Sequence, residues 1–332
     1  MTANNISKIH IAPRIPLQTV IPLETPFSVA IEVTNLCNVK CKFCYHYDTD
    51  SIKQSGISFG FMDFELFCKI IDDLCKFPQR LRKLKIGGFG EPLLNKSLPK
   101  MISYAKHKKV ANYIELYTNG VALNNSLNMQ LIEAGLDWIN ISVNGIDNDD
   151  FYKTCGRKID MDEYIEKIEH LYLNKSNCKL YIKLGDMGYS EQQKNLFLNR
   201  FEKVCDEIFI EKIVDNVWTD ANLECTNSTI GVFGQNLDYK HVCPHIFTTF
   251  LVLHTGKAVA CCADWKGEYI IGDFNYGSAV DFWKGDKIRN LQIIHLKKKR
   301  AQFNMCKICN QPMAFTIDDI DNYCEEILLK YK

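Results

Sequence analysis

No stretch of this chain approaches the roughly 18 consecutive apolar residues that mark a membrane span, and Met1 to His10 lacks the apolar core of a secretory signal. Net charge is missing too: 40 Lys and Arg balance 40 Asp and Glu. No long-range field therefore draws nucleic acid or an anionic membrane, and the expected partner is a small molecule. Internal repeats and low-complexity tracts are absent. Proline is sparse, and Pro13, Pro16, Pro22 and Pro26 crowd its use into an expected extended arm over residues 1–26. Cysteine is the exception. Fifteen are present, an odd number scattered over a long chain, which does not fit a secreted disulfide scaffold and makes metal binding the leading explanation. The expected location is the cytoplasm.

After the arm the sequence alternates. β-rich runs at Ser28–Thr34, Leu84–Gly87, Tyr113–Thr118, Trp138–Val143, Leu180–Leu184 and Glu207–Ile213 are separated by helical patterns at 63–76, 98–108, 126–134, 161–173 and 191–204. Such alternation implies a parallel sheet with right-handed crossovers. Six units are too few for an eight-fold barrel. The expected class is α/β, a partial (β/α)6 TIM-like barrel over 27–215, whose chemistry gathers at the C-terminal strand ends. From about Asn216 the composition shifts, predicting a small Cys-rich domain over 216–316 and an amphipathic C-terminal helix over 317–332.

Cys37, Cys41 and Cys44 form a C-x3-C-x2-C run directly after the first strand. Three thiolates on one loop suit a [4Fe–4S] cube whose fourth iron has no protein ligand and stays open to chelation by a small molecule. A Cys3His zinc site completed by His46 is the alternative reading. Further along, Cys243, Cys261, Cys306 and Cys309 give a C-x17-C pair and a C-x2-C pair, enough for a second, fully ligated cluster or a zinc ion. Cys262 is the fallback for Cys261, since neighbours on a strand point to opposite faces. Cys68, Cys75, Cys155, Cys178, Cys205, Cys225 and Cys324 are expected to be small buried hydrophobes, with Cys155 the one placed to face a substrate.

The segment EVTNLCNVKCKFCY, Glu32 to Tyr45, resembles the signature loop of the radical S-adenosylmethionine (SAM) superfamily. The resemblance implies cleavage of S-adenosylmethionine to a 5′-deoxyadenosyl radical at Cys37, Cys41 and Cys44, with Phe43 beside the adenine. Gly87 to Pro92 resembles the family's Gly-Gly-Glu element, which implies methionine contacts from Gly88, Gly90 and Glu91. Thr118 and Asn119, and Ser142 and Asn144, resemble the cofactor turns after the third and fourth strands. Arg157, Lys183 and Asp186 are candidate substrate residues. The cysteine-rich end resembles the twitch or SPASM extension, implying one auxiliary [4Fe–4S] cluster and a flavodoxin- or ferredoxin-type electron donor.

The expected reaction is a dehydrogenase-like oxidation of a small polyol, amino-sugar or nucleotide-sugar, with the auxiliary cluster as electron relay. Two alternatives stand beside it. One is a maturase that crosslinks or epimerises a ribosomal peptide, disfavoured by the 27 residues that precede Ser28 where a leader-binding domain is expected. The other is a zinc-binding scaffold without activity.

Overall fold

The computed structural model describes residues 3–8, 14–214 and 229–331. Pro13, Cys225 and the expected boundary near Asn216 lie outside the described residues. Within them ten strands form one sheet: β1 (Asn4–Asn5), β2 (Ser28–Ile31), β3 (Leu81–Ile86), β4 (Ala111–Thr118), β5 (Trp138–Val143), β6 (Lys179–Asp186), β7 (Glu207–Lys212), β8 (Thr249–Val252), β9 (Lys257–Val259) and β10 (Ile270–Asp273). Their order is β1-β7-β6-β5-β4-β3-β2-β8-β9-β10. Pairing is parallel from β1 to β8 and antiparallel for the last two. The six expected strands are β2 to β7, joined by helical crossovers, so the α/β partial barrel stands as read.

Alternation along the strands separates two faces. Leu84 and Ile86, Ile114 and Leu116, Ile139 and Ile141, and Leu180 and Ile182 are buried in one core with helix residues such as Phe67, Met101, Ile168 and Phe201. The intervening positions carry Lys83 and Lys85, Glu115 and Tyr117, Asn140 and Ser142, Tyr181 and Lys183, and Glu211 on the inner, barrel-lining face. Helix starts are capped as their sequences direct: Asp63, Asn124, Asp147 and Asp160 each accept from the first turn, and Ser190 with Gln193 forms a capping box.

Four features differ from the sequence reading. The arm is packed rather than free, because β1 adds to the β7 edge and Leu17 and Ile21 are buried. An extra helix, Asn148–Cys155, precedes the expected one at Met161–Asn174; its polar, two-turn NDDFYKTC run has too short a period to read. β8 extends the parallel sheet beside β2, so the cysteine-rich region shares the barrel's sheet. The final helix is confined to Cys324–Leu329, where Cys324 and Ile327 are buried, and Tyr331 bonds Gln292 at 2.9 Å. Cys75 is exposed at a helix end and Cys68 only half-buried, contrary to expectation, whereas Cys178, Cys205 and Cys324 are buried. No described helix is long and apolar enough to cross a membrane.

Candidate active site

The Cys37–Cys44 loop leaves the C-terminal end of β2 and is pinned on two sides. Glu91 N donates to Leu36 O at 2.8 Å. From the other side, Lys40 N and Lys42 N donate to Cys155 O and Thr154 O at 2.8 and 3.0 Å. The end of the helix Asn148–Cys155 thus receives the loop's backbone. Arg157 Nη1 adds a bond to Asn38 O at 3.1 Å, so Arg157 serves the loop rather than the inner face.

Burial pushes the thiols of Cys37 and Cys44 up to about 12. The Cys155 thiol, followed by burial, raises Cys41 well above its usual value. Side-chain amides are aimed at two of these sulfurs. Asn144 Nδ2 lies 3.3 Å from Cys41 Sγ, and Asn119 Nδ2 lies 3.9 Å from Cys37 Sγ while holding Asn38 Oδ1 at 2.7 Å. Among the described residues no three His, Cys, Asp or Glu side chains converge as ligands of a single metal ion. The thiolates of an iron–sulfur cube each bind a different iron and need no common point. Loop thiols met by N–H donors, side-chain amides at Cys37 and Cys41 and the backbone of Tyr45 and His46 at Cys44, therefore fit a cluster. His46 is committed elsewhere, with Nε2 2.8 Å from Phe89 O.

The Gly87–Pro92 turn packs on this loop. A Cβ at Gly90 would lie 2.6 Å from Leu36 O and closer still to Thr34 O, so glycine is required there by the approach of the chain's own backbone. At Gly88 the same atom would meet Glu32 Cβ at 3.0 Å. Glu91 is buried and accepts from Thr118 Oγ1 at 2.6 Å, Asn119 N at 2.7 Å and Leu93 N at 2.9 Å. Burial lifts its carboxyl to about 7 against those three donors. Its partners are internal, locking the second-strand turn to the third.

Phe43 lies at the end of β6, where a Cβ on Gly185 would come within 3.9 Å of its ring. Ser142 lies on the inner face. Lys183 is there too, bonded to Glu211 Oε2 at 2.7 Å. Asp186 falls on the other parity of β6 and is consumed by Lys212, Gly188 N and Tyr189 N.

Sequence reasoning missed the inner face. Lys8 enters it from the arm, donating to Glu115, to Tyr117 Oη at 2.6 Å and to Asn140 Oδ1 at 2.6 Å. Lys83 reaches Glu115 Oε2 at 2.8 Å. Burial would raise the Glu115 carboxyl, but Lys83 and Lys8 outweigh it and hold Glu115 well below the usual carboxylate range. Lys85 Nζ sits 4.1 Å from the Tyr117 ring centre. The signal was present in the polar-apolar alternation of LRKLKI, NYIELYT and KLYIKLG, which marks strands with one polar face.

Cys243, Cys261, Cys306 and Cys309 come together from the start of the Pro244–Phe247 turn, the end of β9 and the segment 304–311. Burial first, then their mutual electrostatic influence, raises Cys243 and Cys306, whereas Cys261 is raised first by its hydrogen bond with the Cys262 thiol and then by burial. Gln311 N and Ala263 N donate to Cys309 Sγ and Cys261 Sγ at 3.4 and 3.3 Å. Cys262 lies past β9 in a turn, so strand alternation does not separate it from Cys261. The two thiols hydrogen-bond each other, and that bond, with Lys85 assisting against burial, draws Cys262 down to about 7. Gln311 Nε2 also donates to Cys262 Sγ at 3.4 Å. Five thiols thus meet, enough for a fully ligated cluster.

Residues 31–186 match the model of the Radical SAM superfamily, and residues 243–310 match that of the SPASM iron–sulfur cluster-binding domain. The GTP 3′,8-cyclase of Chlorobaculum tepidum is 34% identical over 123 residues, 37% of this chain and 34% of that protein. The chain spans between 29% and 44% of the length of the first curated relatives it matches. In fold it is similar to BtrN in complex with AdoMet and 2-DOIA, with TM-score 0.56 and 16% identity over 89% of this chain and 96% of that one. It is also similar to Streptococcus suis SuiB bound to precursor peptide SuiA, with TM-score 0.62 and 14% identity over 82% and 67%.

Proposed function

Because the chain carries a radical SAM domain followed by a SPASM-type iron–sulfur domain, we propose that it oxidises a small polyol, amino-sugar or nucleotide-sugar held on the inner face of the barrel. A [4Fe–4S] cluster with S-adenosylmethionine supplies a 5′-deoxyadenosyl radical that removes hydrogen from carbon. The chain's own residues do the rest. Cys37, Cys41 and Cys44 hold that cluster, and Asn144 and Asn119 orient its ligands. Phe43, at the end of β6, and Ser142 and the backbone around Gly88 border the cofactor. Cys243, Cys261, Cys306 and Cys309 hold one auxiliary cluster.

The observation that carries the substrate reading is the inner face itself. Lys85 on that face and Cys262 of the auxiliary set act on each other electrostatically. Ser142, Lys183 and Lys85 offer hydrogen-bond donors, and among the described residues Lys85 has no hydrogen bond or ion pair. That lining suits a hydroxylated molecule, and a nucleotide-linked one gains a cation for its phosphate. The fourteen described cysteines are unpaired, which suits a reducing cytoplasm, and electrons come from a flavodoxin- or ferredoxin-type donor.

Two measurements test this. Oxygen-free reconstitution should give close to eight irons per chain, and stoichiometric zinc in their place overturns the reading. Deuterium from a carbon-labelled polyol or nucleotide-sugar should then appear in 5′-deoxyadenosine. Transfer from a labelled peptide and from none of these sugars would replace the substrate class with a peptide.

A further inference from the structure

Cys155 does not belong to the loop run, yet its Sγ lies 3.5 Å from Cys41 Sγ, and it is buried. Building on the cluster reading above, we propose that Cys155 is a positioning residue whose S–H donates to the Cys41 thiolate and, together with the Asn144 amide, sets the reduction potential of the cluster held by Cys37, Cys41 and Cys44.

The direction of the bond follows from the chemistry of ligation. In the metal-free chain either thiol is able to donate. A cluster-bound cysteine is a thiolate and only accepts, so the remaining proton is that of Cys155. The competing acceptor, Asn144 O, is farther away, at 3.7 Å. The placement is fixed by backbone rather than by the two sulfurs. Cys155 ends the helix Asn148–Cys155, where its carbonyl accepts from Lys40 N at 2.8 Å and that of Thr154 accepts from Lys42 N at 3.0 Å. These bonds bracket Cys41 and hold it against the helix end.

Cys41 differs from the other two ligands in how it is served. Cys44 is favoured as a thiolate by the backbone N–H groups of His46 and Tyr45, and Cys37 by that of Val39 and, at a longer 3.9 Å, by Asn119 Nδ2. Cys41 receives two side-chain donors as well, Asn144 Nδ2 at 3.3 Å and the Cys155 thiol. Each donor draws negative charge from the sulfur and so favours the reduced, more negative cluster. The site is buried, where such bonds are not diluted by water. Removing a donor therefore makes the cluster harder to reduce.

The test compares oxygen-free reconstituted wild type, Cys155→Ala and Cys155→Ser. Iron and sulfide are counted, and the midpoint is read by a redox titration of the electron paramagnetic resonance signal that S-adenosylmethionine alters. Cys155→Ala should load the same iron and titrate at a more negative potential, and Cys155→Ser should fall between it and wild type. In deuterated buffer, electron–nuclear double resonance should lose one exchangeable deuteron coupling in Cys155→Ala. An unchanged midpoint and unchanged coupling at full iron overturn the assignment. If Cys155→Ala takes up no iron, Cys155→Ser decides: a shifted midpoint with an altered coupling supports the bond, and identity with wild type overturns it. A wild type without any S-adenosylmethionine-sensitive signal removes the cluster reading itself, and this inference with it.

Discussion

Lys8 and Glu115, 107 residues apart, form an ion pair on the inner face of the barrel, where Lys83 completes a triad around one buried carboxylate. The arm is thereby tied to the sheet by charge as well as by the β1–β7 pairing. Removing Glu115 leaves two lysines without their counter-charge, so Glu115→Gln should destabilise the metal-free chain by about 3–5 kcal/mol near neutral pH, the usual cost of breaking a buried pair. Urea midpoints measure this. The folded carboxyl is held below its unfolded value, so its contribution is complete above about pH 4.3, the ordinary glutamate value. It is lost as pH falls through the folded value. The gap between wild type and variant should therefore hold from pH 6 to about pH 5 and narrow as pH falls below about 4.3. A constant gap would mean that Glu115 is not ionised in the native state.

The second relationship is steric. Gly90 lies where the second-strand turn presses on the carbonyls of Thr34 and Leu36, and any Cβ there must displace the backbone that leads into Cys37. Gly90→Ala should cost about 1–3 kcal/mol, the range for overpacking a closely packed site. It should also reduce iron uptake at the loop. Gly56→Ala is the matched control for handling: its Cβ meets nothing within 4 Å, although a left-handed φ of 66° adds some strain. Equal iron content in Gly90→Ala and wild type would show that the loop tolerates the shift.

What could be read beforehand follows the physics of each feature. The six strands were legible because Ile, Leu and Val recur at every second position against helices of matching period, and the thiol loop was legible because three closely spaced cysteines have few other uses. Glu91 was legible only in part. Its position in the turn was clear, but its bonds to Thr118, Asn119 N and Leu93 N depend on how two loops meet, which no local pattern encodes. Lys8 was invisible for the same reason: an isolated lysine in a proline-bounded arm looks like a solvated charge until the sheet brings Glu115 to it. Asn144 is expected in the cofactor turn after β5. That its amide reaches Cys41 Sγ at 3.3 Å depends on how that turn meets the thiol loop.

The auxiliary thiols give a third prediction. Cys261 is the more deeply buried and is met by Ala263 N, whereas Cys262 is half-buried and faces Lys85 and Gln311. Cys261→Ala should therefore lose about half the iron of the fully loaded chain, one cluster of the two expected, and Cys262→Ala should retain it. Iron analysis on anaerobically reconstituted variants separates the two. The reverse pattern would reassign the ligand to Cys262 and turn that cluster toward Lys85.

Lys85 carries the last prediction because, among the described residues, it is a buried inner-face lysine with no carboxylate paired to it. Lys8 and Lys83 share Glu115, and Lys183 has Glu211. Among the described residues Lys85 meets the Tyr117 ring and the electrostatic influence of neighbouring groups, including Cys262. A cation left in that state is available to a substrate oxygen, so Lys85→Met, which keeps the stem and removes the charge, should lower kcat/KM by roughly 10- to 100-fold, equal to about 1.4–2.7 kcal/mol of lost transition-state binding. S-adenosylmethionine cleavage without substrate should persist, because Lys85 touches none of Cys37, Cys41 or Cys44. The discriminating measurement is the ratio of deuterium-labelled to unlabelled 5′-deoxyadenosine formed from a labelled substrate. That ratio should fall in Lys85→Met while total 5′-deoxyadenosine holds. If both fall together, Lys85 acts on the radical-generating site rather than on the substrate. If neither falls, the substrate lies elsewhere than on this face.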